Sequence, residues 1–288
     1  MNENVSIWID LSLSDLKSSK LLYENRHFRT SYFFFQQATE KANKALALLG
    51  GLLSENELKD NIKHDQLKIY RKTVVKQENQ IKSFINVLKL NPEHENNEII
   101  PKSRIENFQQ SLLHTVSLID SFRNYDLTNI STTDLNLILE ELRMLKNLKI
   151  DLSLNFEILF KQKFLEIADW IGHFKTPQAL KTKMELIEMI NNQEQSEKFY
   201  NIITNEFVPL IIDTIFMVST LFCCAIITIQ HSSSTRYPES DISPEIIYNK
   251  CLPIVTNQPH FMELLEASLG VLKKLNKQSD INIQTEQI

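Results

Sequence analysis

Glycine is nearly missing from this chain: four in 288 residues, Gly50, Gly51, Gly172 and Gly270. Dinucleotide-binding and P-loop phosphate sites each need several glycines in a short window, so both are excluded. Tight hairpins draw on the same residue, so a β-rich fold is disfavoured. Cysteine is equally scarce. Cys223 and Cys224 are adjacent in an apolar run, Cys251 stands alone, and no CxxC pair exists. That pattern is neither a zinc framework nor a disulfide scaffold, and it fits a reducing, cytoplasmic setting. There is no excess of positive charge: 31 Lys and Arg stand against 36 Asp and Glu, a net charge of −5. Broad electrostatic binding to nucleic acid is therefore disfavoured, while a local basic groove is allowed. The opening MNENVSIWIDLSLSDLKSS has no basic segment leading into an apolar stretch and is not read as a secretory signal.

What is present reads as long helices. Apolar residues are 42% and charged residues 23%, the balance of an ordinary soluble protein of one large or two small domains. Trp8, Leu11, Leu16, Leu21 and Leu22 recur at helical spacing over residues 7–25. A second helix is expected over residues 28–49, with a stripe of mostly small residues: Phe34, Ala38, Ala42, Ala45 and Leu49. Such a stripe admits a close helix contact, including one across a two-fold axis. Glu40 and Lys44 form an i,i+4 pair in the favoured order, and Gly50-Gly51 reads as a helix stop. Ser54 with Glu57 is a capping box, Ser131 is an N-cap, and Thr176-Pro177 opens a helix with proline at its first position. Residues 91–101 (NPEHENNEIIP) form the clearest loop, and the last helix is expected over about residues 259–277.

The most apolar stretch, residues 207–229, is long enough to span a bilayer. Asp213, Pro209 and several Ser and Thr residues interrupt it, and Lys and Arg do not flank it. It is read as a buried core helix, with a membrane-associated protein as the alternative. The expected fold is an all-α antiparallel bundle with an extra helical layer, divided as residues 1–90, 91–205 and 206–288.

Few residues carry recognisable chemistry. A carboxylate-bridged metal bundle needs paired Glu-x-x-His motifs, and only Glu24-Asn25-Arg26-His27 occurs, so no metal or other cofactor is expected. His94, His114, His173 and His260 have no partners in sequence. No G-x-S-x-G elbow exists, and Cys223 and Cys224 lie where a thiol stays protonated. Two polar elbows remain. In Lys63-His64-Asp65, the Asp could orient the His, or it could simply cap the next helix and leave His64 incidental. In Thr235-Arg236-Tyr237-Pro238, Arg236 could clamp a phosphate or pair a carboxylate.

Within residues 5–70, Trp8, Asp15-Leu16, Leu21-Leu22-Tyr23, Ser31-Tyr32 and above all QQATEKANKA (residues 36–45) resemble a HEPN domain. Lys63-His64-Asp65 stands where that family commonly carries a Gly-His-Asp or similar turn, and Thr235-Arg236-Tyr237-Pro238-Glu239 is similar to its Arg-Tyr-Pro-acid segment. The resemblance implies a HEPN-like helical bundle, usually dimeric, with an RNA- or nucleotide-linked role in a prokaryotic defence or toxin–antitoxin type system. It also implies metal-independent ribonuclease activity in many members. Those members carry an arginine followed four to six residues later by a histidine, and no arginine in this chain has one; Arg104 and His114 are ten apart, and His231 precedes Arg236. On chemistry, His64 is the candidate proton-transfer group, Asp65 its orienter and Arg236 the phosphate clamp, gathered where the two elbows meet. Lys44, Lys63, Arg236 and Tyr237 are the candidate ligand contacts. The alternative is a non-catalytic dimeric module that docks a nucleotidyltransferase or another enzyme.

Overall fold

The computed structural model describes residues 3–89, 101–122, 130–150, 154–231, 235–237 and 243–285. Most of the expected 91–101 loop, with His94, lies outside them, as do Pro238 and Glu239. The described residues are helical with no strand. In chain order the helices are α1 (Glu3–Glu24), α2 (Phe28–Leu49), α3 (Glu55–Glu57, running into a π-turn at Leu58–Ile62), α4 (Leu67–Lys89), α5 (Lys102–Phe122) and α6 (Thr132–Lys146). They continue as α7 (Leu154–Gly172), α8 (Pro177–Asn191), α9 (Gln193–Ile202), a π-turn at Ile203–Phe207, α10 (Val208–Ile229), α11 (Pro244–Ile247) and α12 (Pro253–Thr285).

The caps form as the sequence dictates. Ser54 Oγ accepts the Glu57 amide while the Glu57 carboxylate accepts the Ser54 amide at 2.9 Å. Ser131 Oγ accepts from the Asp134 amide, and Thr176 Oγ1 from the Ala179 amide, both at 3.1 Å. The last helix starts six residues before Pro259. Proline there removes one i→i−4 hydrogen bond, but Ile254, Val255, Phe261 and Met262 are buried on both sides of it and hold the helix through.

The chain forms two compact units: Met1–Thr73, Ser117–Asn147 and Asp213–Ile288 make the first, and Val74–Val116 with Leu148–Ile212 the second. This division differs from the expected boundaries at residues 90 and 205. The reason is α6: Leu135, Leu139 and Leu142, spaced four and three apart, put one stripe into the core of the first unit.

That core is built around α2. Ala38, Ala42 and Ala45 are fully buried, together with Val5, Ile9 and Leu16 of α1 and Leu265, Leu269 and Leu272 of α12. The small residues let α1 approach closely enough for Ser12 Oγ to donate to the Ala38 carbonyl at 2.7 Å. Seven residues on, Ser19 Oγ donates to the Ser31 carbonyl and Ser31 Oγ to the Ser19 carbonyl. Gln258 of α12 reaches both hydroxyls through Nε2. The alanine stripe is therefore covered within the chain, which corrects the expectation that it could serve a two-fold axis.

The helix from Gln193 to Ile229 is long and apolar enough to cross a membrane by length and composition. From Phe216 to Thr228, however, α10 carries core residues of the first unit: Phe216, Met217, Leu221, Cys224 and Ile227. Tyr32 Oη donates to the Ile227 carbonyl at 2.7 Å, and Asp213 pairs with Lys274 at 3.1 Å. In the second unit, α7 and α8 are bridged by Lys183 and Asp169 at 2.8 Å. Phe160, Phe164, Phe199 and Tyr200 form its aromatic cluster, with ring centroids 4.5 to 5.7 Å apart.

Candidate functional site

The polar letters of QQATEKANKA mostly point inward. Gln36, Thr39, Glu40 and Asn43 are all buried. Asn43 fastens the next elbow to α2: its Nδ2 donates to Gln66 Oε1 at 2.8 Å, and its Oδ1 accepts from Tyr70 Oη. Leu58 and Ile62 are buried just before the elbow. Lys63 turns the chain with a φ of 52°, in the left-handed region. Both flanks being anchored, the intervening His64 is laid against α2.

His64 Nδ1 lies 3.1 Å from Glu40 Oε2 and 3.3 Å from Oε1. The imidazole side chain is 66% exposed, while the carboxylate it meets is 6% exposed. Lys44 Nζ donates to Glu40 Oε1 at 2.6 Å and is 11% exposed. The Trp8 ring covers the same ammonium, with its centroid 5.1 Å away. An acceptor at Nδ1 assigns the neutral ring the Nδ1–H tautomer and leaves Nε2, on the opposite edge, as a base. Among the described residues Nε2 has no hydrogen-bond partner. A buried acid that orients an exposed imidazole is the arrangement that proton transfer requires.

Glu40 is the residue that sequence reasoning missed in this role; it was read only as the partner of Lys44. Asp65 does what a helix cap does: its Oδ1 accepts the Lys68 amide at 3.3 Å, and its carboxylate lies 3.9 Å from Lys68 Nζ. Lys63 is exposed at the elbow, whereas Lys44, expected to meet a ligand, is engaged by Glu40.

The second elbow begins at His231, which is 2% exposed. Its Nδ1 is 2.6 Å from Tyr248 Oη, and the Tyr32 and Tyr248 rings flank it. Burial, reinforced by the neighbouring Tyr248 and Cys224, holds the Tyr32 phenol well above its usual range. Thr235 is buried and donates through Oγ1 to the His231 carbonyl at 2.9 Å. Arg29 of α2 donates through Nη1 to the Thr235 carbonyl at 2.8 Å and through Nε to Glu245 Oε1 at 2.6 Å. From this anchored stem Arg236 emerges with its guanidinium 5.0 Å over the Phe33 ring. Tyr237 beside it is 66% exposed. Among the described residues, Arg236 and Tyr237 make no hydrogen bond or ion pair.

Both elbows thus dock on α2, one at Phe33 and the other at Glu40. Seven residues are about 20° short of two turns and advance roughly 10 Å along the axis. His64 and Arg236 share one face of α2 without touching, so the structure joins them through the helix and not at a common point. The other groups singled out in the sequence are not part of this site. Glu24 and His27 are both exposed at the α1–α2 turn. Burial raises the Cys223 thiol to about 11 and pushes Cys224 well above its usual range, which keeps both protonated at neutral pH.

Neither a curated protein nor a solved structure matches the chain. The family model described as the HEPN domain matches residues 5–90, which include α1, α2, the His64 elbow and α4. That match covers the N-terminal third of the chain, which is similar to a HEPN domain.

Proposed function

We propose that this protein binds and acts on RNA or a nucleotide at the α2 face, as a HEPN-type component of a prokaryotic defence or toxin–antitoxin type system, and that it works as a homodimer. The family match supports an RNA-linked or defence-type role and fits a dimer. The observation that carries the site is the His64–Glu40 pair: an exposed imidazole with one nitrogen held by a buried carboxylate and the other facing solvent. His64 Nε2 takes a proton from a ligand hydroxyl. Glu40 holds the ring and stabilises the imidazolium that forms, and Lys44 holds Glu40 in place. Lys63, next to His64, and Arg236 supply positive charge for phosphate. No step requires a metal.

The second reading is a non-catalytic dimeric module that docks a nucleotidyltransferase. It draws on the missing Arg-to-His spacing and on the two turns of α2 that separate Arg236 from His64. The two readings part in a bacterial induction assay comparing wild type with His64→Ala and Arg236→Ala, with total RNA resolved from each culture. Growth arrest with cleaved RNA, lost in His64→Ala, is expected. Unaffected growth and intact RNA with the wild type would favour the docking module.

A further inference from the structure

The Arg236 platform has features that the bundle itself does not explain. Thr235 is fully buried and Arg29 grips its carbonyl, so the backbone leading to Arg236 is fixed to α2. The side chains that follow point outward. The Arg236 guanidinium lies 5.0 Å over the Phe33 ring, and Tyr237, the next residue, exposes its own ring. A guanidinium over one ring and next to an exposed one offers a cation and two π-faces, which is how single-stranded nucleic acid is held without base-specific hydrogen bonds. Apart from the Arg236–Phe33 contact neither group is engaged: among the described residues they form no hydrogen bond or ion pair, and the bond to α2 is made at the Thr235 carbonyl.

The second observation is register. Phe33 and Glu40 lie on one line of α2, so the platform and the His64 imidazole face the same side about two turns apart. Roughly 10 Å corresponds to about three nucleotides of stacked strand at about 3.4 Å each. A mononucleotide brings a single phosphate to one cationic point; a single strand brings phosphates to both.

We infer that Arg236, Phe33 and Tyr237 form a second contact point for a single-stranded oligonucleotide laid along α2, with the phosphate or ribose at His64 about three nucleotides from the base and phosphate held at Arg236. This rests on the reading of the α2 face as an RNA or nucleotide site, and it narrows the ligand to a strand of at least three nucleotides. Binding at two tethered points multiplies affinity, because the second contact is made at high effective concentration.

The test is fluorescence anisotropy of the full chain with fluorescein-labelled oligoadenylates of one, two, four and eight nucleotides, at fixed low salt. The four- and eight-nucleotide probes are expected to bind at least tenfold tighter than the mononucleotide. Arg236→Ala should remove most of that gain, bringing the four- and eight-nucleotide affinities to within about twofold of its own mononucleotide affinity. Arg236→Lys, which keeps the charge and loses the planar stack, should fall between. Phe33→Leu provides a check that leaves Arg236 in place and should weaken the long probes alone. Equal affinity for one and four nucleotides, or an Arg236→Ala curve that overlays wild type at every length, overturns the second contact point and leaves the nucleotide-site reading standing. No binding at any length overturns both.

Discussion

The two faces of α2 show how one helix can seal a core and also present chemistry. The face toward α1 and α12 is Ala38, Ala42 and Ala45, packed against serine hydroxyls and leucines. The other runs Phe33, Gln37, Glu40 and Lys44, and it receives Arg236 and His64 from two separate loops. The first tolerates little change in volume, and its charge toward α1 is the Lys41–Asp15 ion pair. The second buries a carboxylate and an ammonium against each other and leaves an imidazole and a guanidinium outside. The lesson is that the site is rigid because its opposite side is packed: the small residues fix the helix, and the helix fixes the distance between the two loops.

The largest effect should come from breaking the charged face. Lys44→Met leaves Glu40 nearly buried without its ammonium, and loss of one partner of a buried pair costs about 3 kcal/mol. Urea denaturation should show it as a lower midpoint with an unchanged slope, and Glu40→Gln in the same chain should recover part of the loss. Overpacking the sealed face comes next: Ala42→Leu should cost about 2 kcal/mol by forcing α1 and α2 apart. An unchanged melting temperature would show that the stripe is not closely packed.

Alkaline pH gives the smallest effect and sharpens the comparison from the α10 side. The Cys223 thiol is raised from its ordinary 9.0 to about 11 by burial, and the Tyr32 and Tyr70 phenols are raised well above their usual range for the same reason. The unfolded chain releases these protons at lower pH than the folded chain. The stability that Cys223 contributes is therefore complete below about pH 9 and is lost as pH rises through about 11, and the phenols act in the same direction. Thermal melts should fall across that window, with a shallower fall in Cys223→Ala. A flat profile from pH 9 to 11 would mean that these groups are open to solvent.

Much of the scaffold was legible in the residues. Ser54, Ser131 and Thr176 cap the helices expected of them, and α2 has the bounds its periodicity implies. The close contact offered by the alanine stripe was legible as well; its partner was not, because small residues declare proximity without naming what approaches. The role of α6 was hidden for a related reason. Leu135, Leu139 and Leu142 announce a buried stripe, but a stripe does not say which core it enters. At the site, the sequence singles out His64 and Arg236 but not Glu40, because the i,i+4 pairing with Lys44 already accounts for a glutamate at that position.

By itself, then, the sequence determined the helices, their caps and stops, the scarcity of turns, and the likeness of residues 5–90 to a HEPN domain. These depend on local periodicity and on hydrogen bonds between near neighbours. Only the tertiary structure decided that His64 meets Glu40 across 24 residues and that Arg236 meets Phe33 across some two hundred. Contacts at that range are set by how buried surfaces fit together, and no spacing in the chain encodes them.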